Sequence, residues 1–171
     1  METNFVEQAY FVSQIIAAVA VVLSLVYVGH QVKQSTKAIR LSTTHNIAQA
    51  FREQYLMIAD DSGVAKVWLS GMNNAQPPEG EEALRFFASM HNLFRIYEDA
   101  LYQHQNGALD QELFSGMEQQ FIDFSSLPGV RNYWTERARY FSPALQERFG
   151  RYIADSANKS PHRLAGIKVT Q

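Results

Sequence analysis

Four side chains in one stretch could do chemistry together. His91, Arg95, Glu98 and Tyr102 follow one another at spacings of four, three and four, so a helix carries them on a single face. An imidazole, a guanidinium, a carboxylate and a phenol in that arrangement can hold an anionic ligand or support proton transfer. The same residues also suit a purely architectural role. Arg95 pairs with Glu98 or Asp99 along the helix, His91 and Tyr102 add hydrogen bonds, and a half-buried pair beside an apolar stripe fixes helix register. A second group has Arg131, Arg137 and Arg139 interleaved with Tyr133, Trp134 and Tyr140. Arginine among aromatics suits cation–π stacking or a phosphate site, or a surface guanidinium whose stem packs over a core ring.

Other chemistries are absent from the sequence. The histidines His30, His45, His91, His104 and His162 share no ligand spacing, so no metal site is expected. No Gly-rich phosphate loop, G-x-S-x-G elbow or H-E-x-x-H stretch is present. The chain has no cysteine, which excludes disulfides, thiolate metal sites and a cysteine nucleophile. A net charge of −2 over 171 residues argues against a general nucleic-acid binder. No cofactor is expected, and an enzyme is the less favoured reading.

The elements that must position these residues are all helical. Asp60-Asp61-Ser62 stops one helix and caps the next, which carries Val64, Val67, Trp68 and Met72 on its apolar side. Pro77-Pro78 forbids continuation. Glu79, Glu81 and Glu82 place negative charge where a helix N-terminus favours it. The helix they open, 79–105, has Phe86, Met90, Leu93 and Tyr97 in one stripe and Leu84, Phe87, Phe94 and Leu101 in the adjoining one, an arc wide enough for several neighbours. Asn106-Gly107 ends it. Asp110 caps the next helix, with Leu109 and Phe114 placed as a hydrophobic staple and Phe114, Met117, Phe121 and Phe124 facing inward. Leu127-Pro128 and Ser142-Pro143 each start a further segment. Val130, Tyr133, Trp134 and Phe141 belong to the first, and Leu145, Phe149, Tyr152 and Ile153 to the second. No stretch alternates with period two. The expected domain is an all-α bundle of about five helices.

Ahead of that bundle stands Ala9–Val28, AYFVSQIIAAVAVVLSLVYV, and no Asp, Glu, Lys or Arg occurs from Gln8 to Val32. About 20 apolar residues match the ~30 Å hydrocarbon core of a bilayer, so the run reads as a transmembrane helix. A cleaved signal peptide would need a basic start and a small-residue cleavage site; here Glu2 and Glu7 precede the run and GHQVKQ follows it. A buried core helix would be shorter and carry a polar stripe. Every Lys and Arg lies at Lys33 or later, and Lys33, Lys37 and Arg40 follow the run on one helix face. The positive-inside rule then puts the N-terminus outside and the bundle in the cytoplasm. The three cations can meet anionic headgroups. Within the run, Ser13, Ala17, Ala20 and Ser24 form a small-residue stripe with Gln14 beside it, a surface on which membrane helices approach closely. The implied layout is an outer tail 1–8, a transmembrane helix 9–28, a juxtamembrane helix 29–59 that continues it as one long helix, with polar Leu41–Asn46 the place where a bend could fall, a cytoplasmic bundle 60–155 and a flexible tail 156–171.

Short stretches add a likeness. QVKQSTKAIR after the apolar helix, GALDQELF, LPGVRNYW and YFSPAL resemble a broad group of uncharacterised bacterial proteins in which an N-terminal membrane helix precedes a helical domain of this size. The resemblance implies a bacterial inner membrane and this architecture, and it transfers no activity and no site residue. The expected function is a membrane-anchored, self-associating interaction or scaffold protein with the bilayer, further copies of itself and a protein partner as its contacts. The alternatives are a ligand-binding or enzymatic bundle using the His91/Arg95/Glu98/Tyr102 face, or a small oligomeric pore lined by Ser13, Gln14 and Ser24.

Overall fold

Helix boundaries fall where the sequence supplies a group to cap them. The computed structural model describes residues 2–74, 76 and 78–156, and side chains from Glu7 onward. It contains α1 (Glu2–Asp60), α2 (Ser62–Asn73), α3 (Gly80–Gln105), α4 (Gln111–Phe124), α5 (Pro128–Arg137), a 3₁₀ turn (Ala138–Tyr140) and α6 (Pro143–Ser156). Among the described residues the chain is all-α, with no strand.

The Asp61 carboxylate accepts the Gly63 and Val64 N–H groups at the start of α2, and Asp110 accepts those of Glu112 and Leu113 at the start of α4. These are the orphan donors of a helix N-terminus. Pro128 occupies the first turn of α5, where its missing N–H costs nothing. At the end of α3, Gly107 takes φ +68°. That left-handed residue lets Ala108 N–H reach the Gln103 carbonyl and Gly107 N–H reach that of His104, a double closure that needs glycine at this point.

The structure forms two compact units, residues 1–41 and 42–171. The first is helix alone, and α1 runs through Leu41–Asn46 without interruption, so the 29–59 segment contains no break there. In the second unit the core is aromatic. Phe94 of α3 is fully buried, with ring centroids of Phe121, Tyr133, Trp134, Phe141 and Phe149 between 4.9 and 5.6 Å away. Tyr97 stacks on Phe121 at 3.9 Å. Edge-to-face and offset rings at these separations add to what burial alone contributes. Phe114, Met117, Phe121 and Phe124 are all buried, as are Leu109 and Leu145, Phe149 and Tyr152 of α6. The α2–α5 crossing is closer still, because Gly71 and Gly129 meet there backbone to backbone.

Several expectations need adjustment. Leu84, placed on the α3 stripe, is 70% exposed, whereas Phe86, two residues on, is buried: in the second turn of the helix only the Phe86 side is covered. Helical spacing also predicts a stripe of Ile47, Phe51, Tyr55 and Ile58 near the end of α1; Ile47 and Phe51 are buried, but Tyr55 is exposed, whereas Gln54 is buried and accepts a hydrogen bond from Asn92 Nδ2 at 2.5 Å. The α5 helix stops at Arg137, and Phe141 reaches the core from beyond the 3₁₀ turn. Ser156, assigned to the flexible tail, is the buried last residue of α6. Its hydroxyl donates to the Ile153 carbonyl and accepts from Arg131. The rest of that tail, 157–171, lies outside the described residues, as do Met1, Ala75 and Pro77.

Candidate functional site

Three of the four residues on the proposed α3 face come together, and two of them, Arg95 and Glu98, grip the α5–α6 connection. Arg95 donates to Glu98 Oε2 at 2.6 Å and to the Tyr140 carbonyl at 2.8 Å, and its guanidinium lies 4.9 Å from the centre of the Phe141 ring. Glu98 Oε1 accepts the Ser142 N–H at 2.5 Å, one residue before α6, where a carboxylate also meets the positive end of the helix dipole. Arg95 and Glu98 therefore hold the end of the 3₁₀ turn and the start of α6 against α3. Burial works against ionisation of Glu98, but the hydrogen bonds from Ser142 and Arg95 and the Arg95 charge outweigh it and hold the carboxyl below its ordinary range. Tyr102 is not part of this cluster: its ring is exposed, and its carbonyl accepts from Asn106.

His91 links the clamp to the core. Its Nδ1 lies 3.0 Å from the Tyr133 hydroxyl and its Nε2 accepts from Arg95 Nε at 3.4 Å. Burial, followed by the charges of Arg95 and Arg137, lowers its pKa, in the same direction as the Arg95 contact, which needs a lone pair on Nε2 and hence a neutral imidazole.

The three arginines of the second group do three different things. Arg131 donates to the Ser125 carbonyl at 2.7 Å and to Ser156 Oγ at 2.9 Å, placing a cation on the open carbonyl end of α4, where the helix dipole favours it. Arg137 lies 5.0 Å from the centre of the Phe87 ring, and Arg139 lies 5.0 Å from that of Tyr140.

A further polar cluster has no local signature in the sequence. Glu118 of α4 accepts from Arg148 Nε at 2.8 Å and from the Tyr152 hydroxyl of α6, while Tyr97 of α3 stands 3.0 Å from Tyr152. Arg148 also caps the Phe114 ring at 5.2 Å. Burial opposes the Glu118 charge, and the bonds from Tyr152 and Arg148 outweigh it, so its carboxyl too stays below the usual range. The partners are 30 and 34 residues apart in sequence. Only the α4–α6 crossing pairs them, which is why no local spacing signals the cluster.

In the first unit, His30, Lys33, Gln34, Thr36, Lys37 and Arg40 line one shallow strip of α1. Gln34 Nε2 and His30 Nε2 are 2.9 Å apart, and Thr36 bonds back to the Val32 carbonyl. Ser13 and Ser24 likewise donate to the carbonyls of Tyr10 and Ala20, at 2.8 Å each, so both hydroxyls of the small-residue stripe are satisfied within the helix. All described side chains from Glu7 to Ser42 are exposed.

No protein-family model, curated protein or solved structure gives a significant match to this chain, so the functional reading rests on the geometry just described.

Proposed function

We propose that this chain is a single-pass membrane protein whose helical bundle serves as an interaction module. In this reading residues 9–28 cross the inner membrane with the N-terminus outside, Lys33, Lys37 and Arg40 meet the headgroups on the cytoplasmic side, and copies associate through Ser13, Gln14, Ala17, Ala20 and Ser24. The bundle then docks a protein partner beneath the membrane.

One observation carries the reading. The apolar run of α1 has a mean hydropathy of 2.4 and none of it is buried by the chain itself; Ile15, Leu25 and Val26 are each about two-thirds exposed. Apolar surface on every side of a long helix costs roughly 25 cal/mol per Å² in water, so something else covers it, and lipid suits a charge-free helix of this length. The small-residue stripe supports association, because its serines carry no unmet hydrogen bond into a close helix contact.

Replacing Ala17 and Ala20 together by Ile is expected to fill that stripe and shift crosslinked protein in native membranes from oligomer to monomer, by roughly tenfold in apparent association constant. Unchanged crosslinking in the double variant, or a monomer in the parent chain, removes self-association from the reading.

A further inference from the structure

A groove on the second unit has an apolar floor, a positive rim and an unused hydroxyl donor. Leu84, Phe87, His91, Tyr133, Arg137 and Tyr140 line it, between α3 and the α5–3₁₀ segment. The floor is Leu84 and Phe87. Leu84 is 70% exposed, a large aliphatic side chain that nothing else in the bundle covers.

The donor follows from the hydrogen-bond chain. A guanidinium N–H can only donate, so Arg95 Nε gives its proton to His91 Nε2. The neutral imidazole therefore carries its own proton on Nδ1 and donates it to the Tyr133 oxygen at 3.0 Å. That leaves the Tyr133 O–H hydrogen with no acceptor among the described residues. Burial raises the Tyr133 pKa far above neutrality, so the hydroxyl stays a donor. Arg95 and His91 act here as positioning residues.

The charge points the same way. Arg137 lies over Phe87 and Arg139 over Tyr140, and among the described residues neither has a carboxylate within ion-pair distance. Glu98, whose charge reaches His91, is already committed to Arg95 and Ser142. A guanidinium and a phenol O–H converging beside exposed hydrocarbon match an acid group attached to an apolar body.

We propose that this groove binds a small organic carboxylate, its acid group held by Arg137 and the Tyr133 hydroxyl and its apolar body lying over Leu84 and Phe87. The inference concerns the bundle alone and stands whether or not α1 crosses a membrane.

The test is calorimetric titration of the full-length protein in nanodiscs with 4-phenylbutyrate, 4-phenylbutanol and acetate as probes. Phenylbutyrate is expected to bind saturably, with the neutral alcohol and the body-less acetate each weaker by about tenfold or more. Arg137→Gln and, separately, Leu84→Ser are expected to weaken phenylbutyrate by about tenfold as well, while their urea-unfolding midpoints stay at the parent value. A Lys66→Gln variant should bind as the parent does. No saturable binding up to roughly 10 mM phenylbutyrate, a Kd worth only about 3 kcal/mol, overturns the proposal. Equal binding of acid and alcohol, or parent-like affinity in a folded Arg137→Gln protein, overturns it too.

Discussion

Gly129→Ala is expected to destabilise the bundle by about 3 kcal/mol or more, at the upper end for overpacking a closed site. A Cβ on Gly129 falls inside the Gly71 carbonyl group and 3.1 Å from the Asn74 carbonyl oxygen. Both obstacles are backbone, so no rotamer change relieves the clash, and α2 must leave α5. Gly71→Ala meets the Phe86 ring instead; that ring is fully buried and must push its neighbours, at a cost expected to be smaller than that of a backbone clash but still destabilising. Gly116 and Gly150 provide the contrast. Both lie inside helices with nothing within 4 Å of a built Cβ, so alanine there should stabilise by about 0.5–1 kcal/mol through the unfolded chain. Urea unfolding followed by tryptophan fluorescence reads all four variants. Trp68 and Trp134 are buried on α2 and α5, the two helices the crossing joins. A Gly129→Ala protein with parent stability and parent emission would mean that the crossing is not where the structure has it.

Phe94→Ala is expected to cost about 3–5 kcal/mol, the range for deleting a fully buried aromatic. Five rings from α4, α5, α6 and the segment after the 3₁₀ turn surround Phe94 within 5.6 Å. No single neighbour can move in to fill the space without abandoning another contact. Leu84→Ala, seven-tenths exposed on the same helix, should stay within about 0.5 kcal/mol of the parent. The sequence places the two residues in one apolar stripe. The unfolding midpoints of this pair therefore separate position on the stripe from position in the bundle. Equal losses would contradict the arrangement of α3.

What could be read in advance was local. Asp61 and Asp110 act as caps because the chemistry of a cap needs only an oxygen beside three free N–H groups. Pro128 opens α5 and Gly107 closes α3 for reasons contained in a few residues. The inward face of α4 follows from its period alone. What could not be read depends on crossings between distant segments. Gly71 and Gly129 look like ordinary helix-weakening glycines until α2 and α5 meet. Glu118, Arg148 and Tyr152 sit among many charged and polar residues, and only the packing of α4 on α6 makes them a cluster. The α3 face shows both effects at once. Spacing correctly groups His91, Arg95 and Glu98, but it also enrols Tyr102, which turns away to solvent. It also gives no hint that two of these side chains grip the chain 44 and 45 residues further on. Arg137 does lie over an aromatic ring, but that ring, Phe87, comes from a different helix and not from the local aromatics. The groove it shares with Tyr133 was therefore invisible from the local stretch.

The reading of the molecule as membrane-anchored rests on what surrounds α1. Because the chain has no cysteine, a single introduced cysteine reports its own surroundings without background. Glu7→Cys lies just before the apolar run, and Lys66→Cys is exposed on α2. In intact bacterial cells a membrane-impermeant maleimide should label Glu7→Cys, and it should reach Lys66→Cys only after the cells are broken. If both sites stay shielded until lysis and the labelled chain then sediments with neither membranes nor detergent, α1 does not span a bilayer.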